Sequence, residues 1–213
     1  MKSDYIKPSI YSQIYKYMTY ENVLVLRVSL ETGLRVGDVC KIKVEDIHGR
    51  KLRFVAEKTG KEGVKVLSNS LVKELLRVAG GAGYVFKGAR DPNTHRTRQA
   101  VWKNVTKACV EAGLAEHVTP HSARKTYAVG VFQDRGIGAC AEELQHDRTD
   151  TTMLYAFSNL LCAAEGASEG RLTSAAFSMS DVENAAYNGC VRALRDFAAT
   201  GGLQIQFCEP QSK

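Results

Sequence analysis

Arg35, His121 and Arg124 are the residues of this chain best suited to gripping an anion. Arg35 stands one residue past the Gly33-Leu34 turn, so it projects from a helix start, where free backbone amides already favour negative charge. His121 and Arg124 are spaced three apart just after Pro120, which puts both side chains on one face of a first helical turn. A guanidinium is a planar fork of donors suited to phosphate. Two further segments carry reactive groups: Glu57-Lys58-Thr59-Gly60-Lys61, and Gln145-His146 followed nine residues later by Tyr155. Taken singly, each has a plain structural reading: a surface arginine capped by Asp38, a chance HxxR, a core tyrosine. His117 and His121 also form an HxxxH beside Glu116, but Pro120 interrupts any helix through both and no third ligand stands out, so no metal site is expected.

The elements that must position these groups are mostly helical. Thr19 reads as the N-cap of a helix from Tyr20 to about Glu31, ended by Gly33, with a second short helix starting near Arg35. Val44 to Ile47, Leu52 to Glu57 and Val64 to Leu67 alternate apolar with polar residues, and turn-like His48-Gly49 and Thr59 to Gly63 split them. They predict a small antiparallel sheet with Lys58 at a hairpin tip. Helices follow over Asn69–Ala79 and Thr97–Ala112, then from Pro120 to Arg135, with shorter ones around Ala139–Leu144 and Thr151–Phe157. The fold class expected is mainly α with one small antiparallel β-sheet. Residues 160–180, rich in Ala, Ser and Gly, resemble a tether to a last helix that a capping box, Ser180 with Glu183, opens and that runs to about Ala199. A body over residues 1–159 and a C-terminal tether and helix over 160–213 are therefore expected.

Charge is divided unevenly. Residues 1–110 hold 21 Lys/Arg against 10 Asp/Glu, and residues 111–213 hold 8 against 13, within a total of +6. A basic face for a polyanion would be built by the first half, although solvated surface lysine accounts for charge alone. The six cysteines, at 40, 109, 140, 162, 190 and 208, include no CxxC, which argues against zinc and against a disulfide framework. Cys40, Cys109 and Cys190 lie in apolar helical settings that suit buried thiols. A reducing cytoplasm is the expected location, and no apolar run approaches a membrane span.

In this order and at these separations, the segments Thr32-Gly33-Leu34-Arg35, Lys58 on a hairpin, His121-x-x-Arg124, His146 and Tyr155 resemble the tyrosine recombinase (phage integrase) family. The resemblance runs from about Thr19 to Ser158. It implies that Arg35 and Arg124 hold a scissile phosphate of double-stranded DNA, that Lys58 is the hairpin lysine, that His121 and His146 are the two histidines, and that Tyr155 is the nucleophile. Asp38 stands where the family usually has a glutamate supporting the first arginine. Gln145 replaces a common glycine, and Lys61 is a rival to Lys58 that fits the Lys-Thr-Gly pattern less well.

These implied roles are chemically coherent. Attack on a phosphodiester concentrates charge on the non-bridging oxygens, where fixed arginines and imidazole donors stabilise it. A tyrosine with a pKa of about 10 is roughly one part in a thousand ionised at pH 7, so it needs a base, for which His121 is the candidate. Lys58 would protonate the departing 5′-oxygen. No cofactor is expected, and the chain has neither a Walker loop nor a dinucleotide-binding glycine pattern. The resemblance implies a tetramer on DNA, in which the last helix either docks on a neighbouring subunit or packs on its own domain. Family members usually carry an N-terminal clamping domain as well, and only about eighteen residues precede the matching region, so weak, salt-sensitive binding with little sequence discrimination is expected. A type IB topoisomerase-like relaxing enzyme and a non-catalytic DNA-binding module are the alternatives. The module reading predicts a missing catalytic side chain, and none is missing.

Overall fold

The apolar run Val23 to Leu26 lies in the core of the described body. In the computed structural model, which describes residues 6–114 and 118–144, it belongs to α2 (Tyr20–Thr32), a helix with Val23, Leu24, Val25, Leu26 and Val28 all buried. A helix apolar on most sides must be surrounded. α2 packs chiefly on α6 (Pro120–Glu143) and also touches α3 (Val36–Cys40), α4 (Asn69–Ala79) and α5 (Arg98–Glu111). α1 (Pro8–Tyr15) lies against α5 and is tied to α6 by the Tyr11 hydroxyl, 3.1 Å from Thr126 Oγ1. Thr126 in turn donates to the Ile6 carbonyl at 2.8 Å.

Gly33 closes α2 in a left-handed conformation, φ +71°. A Cβ added there would lie 2.4 and 2.7 Å from carbons of the Tyr127 ring and 3.0 Å from Leu144. Gly33→Ala is therefore expected to cost about 1–2 kcal/mol for the backbone conformation and roughly 1–3 kcal/mol more for overpacking. Denaturant melts read this directly. A loss below about 1 kcal/mol would mean that the Tyr127 ring yields freely.

Three antiparallel strands, β1 (Ile47–His48), β2 (Lys51–Val55) and β3 (Glu62–Val66), form the sheet in the order β1-β2-β3. Leu52 pairs with Lys65 and Arg53 with Val64. Leu52 and Lys65 thus point to the covered side, while Lys51, Arg53, Val55, Val64 and Val66 face solvent. Lys58 is the middle residue of the turn Glu57–Thr59 that joins β2 to β3, closed by the Gly60 amide on the Ala56 carbonyl at 2.7 Å. Gly60 supplies the positive φ of +66° that this turn requires.

The expected fold class holds, with local differences. Val44–Asp46 is one 3-10 turn and only Ile47–His48 pairs as strand: the Asp46 carboxylate accepts the Lys43 amide at 2.8 Å, which curls the chain before pairing can begin. The helices expected over Pro120–Arg135 and Ala139–Leu144 run on without an intervening loop as α6, but α6 is not straight: Cys140 Sγ donates to the Ala128 carbonyl at 3.3 Å and Arg124 reaches the Leu144 carbonyl, pairs that a straight helix would hold roughly 18 and 30 Å apart, so the chain folds back between them, where Gly136 and Gly138 lie. Glycines favour such a change of direction, and burial of Cys140 and Leu144 on the returning stretch holds it. α1 had not been expected, although Pro8 at its first turn and the buried pair Tyr11 and Ile14 carry its signal. The helices expected at Thr151–Phe157 and Ser180–Ala199, the 159/160 boundary, Glu116, His117, His146 and Tyr155 lie outside the described residues.

Candidate active site

Arg35, His121 and Arg124 are brought together where α2 ends and where α3 and α6 begin. Arg35 occupies the N-cap of α3 with extended backbone, and its carbonyl accepts the Val39 amide at 2.9 Å. Its side chain is half-buried, and among the described residues nothing hydrogen-bonds or ion-pairs with its guanidinium. His121 sits in the first turn of α6, which Pro120 opens and a Thr119–Ser122 capping box fixes, with the Thr119 amide donating to Ser122 Oγ at 3.1 Å.

Arg124 is 4% exposed and bridges two helix ends. Nη1 donates to the Gly33 carbonyl, and Nη2 donates to the Leu144 carbonyl at 2.7 Å. Carbonyls at helix C-termini lack intrahelical donors, so a buried guanidinium satisfies them and is itself oriented by them.

His121 is exposed by surface area, yet protein atoms crowd its ring enough that lost hydration is the largest influence on it. With the positive charges of Arg124, Lys125 and Arg35, this pushes the imidazole down to about 4. The ring is neutral at pH 7 and able to accept a proton. In the free protein, an NMR titration of His121 is expected to show no inflection near 6.5, and an inflection there would contradict the crowding and the charge cluster. Because the unfolded chain takes up this proton near 6.5 and the folded chain only near 4, the associated stability is present above 6.5 and is lost as pH falls from there toward 4.

Lys58 is exposed, and among the described residues its ammonium has no partner. Asp38, nearly buried, does not direct its hydrogen bond to Arg35: Oδ1 accepts the Glu57 amide at 3.0 Å, one residue before Lys58. Lys41 at the end of α3 pairs with Glu57 at 2.8 Å. Asp38 and Lys41 thereby tether the hairpin tip to the helix that Arg35 opens. Lys61, the rival lysine, contributes its carbonyl to the Ala56 amide at 2.8 Å and stands at the start of the returning strand.

Beside His121 lies a cleft of about 400 Å³ lined by Val36, Arg98, Gln99, Trp102 and Pro120. Sequence reading passed over this edge of α5. Its signal was Trp102, a large aromatic that remains 38% exposed on an otherwise amphipathic helix. Cys40, Cys109 and Cys140 are buried free thiols. Burial pushes Cys40 up to about 12 and Cys140 up to about 11, which makes them unreactive. Among the described residues, no helix is long and apolar enough to cross a membrane.

Comparison with known proteins agrees with this geometry. Residues 5–160 match the Phage integrase family, a span that starts earlier than Thr19 and takes in α1. The chain is 30% identical over 141 residues to tyrosine recombinase XerA of Pyrococcus horikoshii, an alignment covering 62% of this chain and 48% of that protein. The chain spans about half the length of the curated relatives it matches. Among solved structures, a lambda integrase dimer bound to a COC′ core site superposes with a TM-score of 0.66 at 17% identity, over 83% of this chain and 52% of that one. The catalytic domain of bacteriophage HP1 integrase superposes with a TM-score of 0.57 at 19% identity, over 78% of this chain and 96% of that one. Likeness at such low identity establishes a shared fold.

Proposed function

The chain belongs to the phage integrase family, and from that premise we propose that it is the catalytic part of a site-specific DNA recombinase, one that breaks and rejoins double-stranded DNA through a 3′-phosphotyrosyl bond to Tyr155. The observation that carries this reading is the convergence of Arg35, which has no partner among the described residues, with a neutral His121 and a rigidly held Arg124, beside a tethered hairpin that presents Lys58. A cluster of positive groups with a guanidinium that no described residue pairs is complementary to an anion, and a phosphodiester supplies one.

In the proposed reaction, the Tyr155 hydroxyl oxygen attacks the phosphorus and its proton passes to His121. The bond from phosphorus to the 5′-oxygen breaks as Lys58 gives that oxygen a proton. Arg35 and Arg124 hold the non-bridging oxygens, with His146 as a further donor. The phosphotyrosine retains the energy of the phosphodiester, so the 5′-hydroxyl of another strand displaces Tyr155 with the same groups acting in reverse. The cleft beside His121 gives room to the adjoining nucleoside, against which Trp102 offers a flat apolar face. Exchange between duplexes calls for several copies on DNA, and assembly as a tetramer through residues 160–213 is part of the proposal.

The test is incubation with a nicked suicide duplex, from which the 5′-hydroxyl fragment diffuses away and traps the covalent state. A denaturation-resistant protein–DNA adduct supports the proposal. Absence of any adduct on family-like sites, even with an N-terminal clamping domain supplied, would leave the non-catalytic DNA-binding reading in its place.

A further inference from the structure

Two successive carbonyls at the end of α6 are held by side chains, one from β3 and one from the start of α6 itself. The Glu143 carbonyl accepts from Lys65 Nζ at 2.8 Å, and the Leu144 carbonyl accepts from Arg124. The Glu143 carboxylate gathers three more partners: Lys65 in an ion pair, Arg135 at 2.9 Å and the Tyr127 hydroxyl at 3.1 Å. Lys65 Nζ also lies 5.6 Å from the centre of the Tyr127 ring, the ring that closes over Gly33. The hub therefore joins β3, the end of α6 and the end of α2.

The Lys65 side chain is only 12% exposed and that of Glu143 27%. Burial alone would raise the Glu143 pKa, but hydrogen bonds from Lys65 and Arg135 and the charge of Lys65 outweigh it and hold the carboxyl at about 2. Ion pairs this shielded are a weak source of stability compared with an apolar pair, so what this one supplies best is a fixed geometry.

That geometry bears on the reaction proposed above. Lys65 pairs with Leu52 at the base of the same hairpin whose turn carries Lys58. The tip is tethered to α3 by Asp38 and Lys41, and the base to α6 by Glu143, so two tethers fix the angle at which the arm approaches the site. We propose that Glu143 is a positioning residue for DNA cleavage: acting through Lys65, it sets the reach of the Lys58 hairpin toward the leaving 5′-oxygen. The inference rests on the recombinase reading.

Substrate chemistry separates this role from general stability. A 5′-oxygen must be protonated as it leaves, whereas a sulfur in the same bridging position departs as a thiolate and needs no proton. Single-turnover adduct formation is compared on both nicked duplexes for the unsubstituted chain, Glu143→Gln and Lys65→Met, with a melt of each protein. For both variants, slowing of about 10- to 100-fold is expected on the oxygen substrate and less than about threefold on the sulfur substrate, part of the roughly 100- to 10,000-fold that a positioned acid contributes. Glu143→Asp should recover part of the oxygen rate. Should Lys65→Met not fold, Arg135→Ala, which removes one exposed donor from the hub, carries the same comparison at smaller amplitude. Equal slowing on both substrates, or none, overturns the inference while leaving the recombinase reading intact. An unsubstituted chain that forms no adduct removes both.

Discussion

Tyr155→Phe is expected to abolish the covalent protein–DNA adduct completely while leaving DNA binding within a few-fold of the unsubstituted chain. The substitution deletes one oxygen, the atom that would bond to phosphorus, and no positioned group replaces it: water attack would give free phosphate ends rather than an adduct. Binding should survive because, in the proposed reaction, the charge that meets phosphate belongs to Arg35, Arg124 and the lysine-rich first half of the chain. The measurement pairs a denaturing gel of the nicked-duplex reaction with a fluorescence binding titration at fixed salt. An adduct that persists in Tyr155→Phe would move the nucleophile to another of the nine tyrosines. Loss of both adduct and binding would make Tyr155 a structural residue.

Much of this site was legible because its signals are local. His121 and Arg124 are three residues apart in one helix, Arg35 stands two residues after a glycine that ends a helix, and Lys58 lies in a turn announced by Gly60. Short stretches of pattern are enough to place such groups. What could not be read depends on partners distant in sequence. The Asp38 carboxylate has several backbone amides within plausible reach, and only the packing of the hairpin on α3 selects that of Glu57. The pairing of Glu143 with Lys65 spans 78 residues and requires both the hairpin register and the fold-back of α6. The two helical stretches on either side of Gly136 and Gly138 were legible, whereas the way the second returns onto the first was not, because the contacts that fix it, at Cys140, Glu143 and Leu144, are tertiary. Arg124 shows the same limit within one residue: its spacing from His121 announced an anion ligand, while its hold on the Gly33 and Leu144 carbonyls was visible only once the helix ends met.

The two arginines of the site should therefore fail in different ways when removed. Arg35→Ala is expected to slow cleavage by about 100- to 1,000-fold, the usual cost of one preorganised donor to a developing oxyanion, with stability changed by no more than about 0.5 kcal/mol. Its guanidinium has no partner among the described residues, and it stands near the like charges of Arg124 and Lys125, so its loss removes repulsion rather than a contact. Arg124→Ala should match or exceed that loss of rate and also destabilise the fold, because the Gly33 and Leu144 carbonyls are left buried and unpaired at about 1–3 kcal/mol each. Arg124→Lys should recover little, since a single ammonium cannot span two carbonyls and a phosphate in the manner of a planar fork. Single-turnover cleavage and denaturant melts on the same preparations read both quantities. Equal destabilisation by the two alanine variants would mean that Arg35 is a structural residue, and an Arg35→Ala chain that cleaves at the original rate would remove it from the phosphate site. An arginine half-buried, close to other cations and without a partner among the described residues is a placement that an arriving anion makes more favourable.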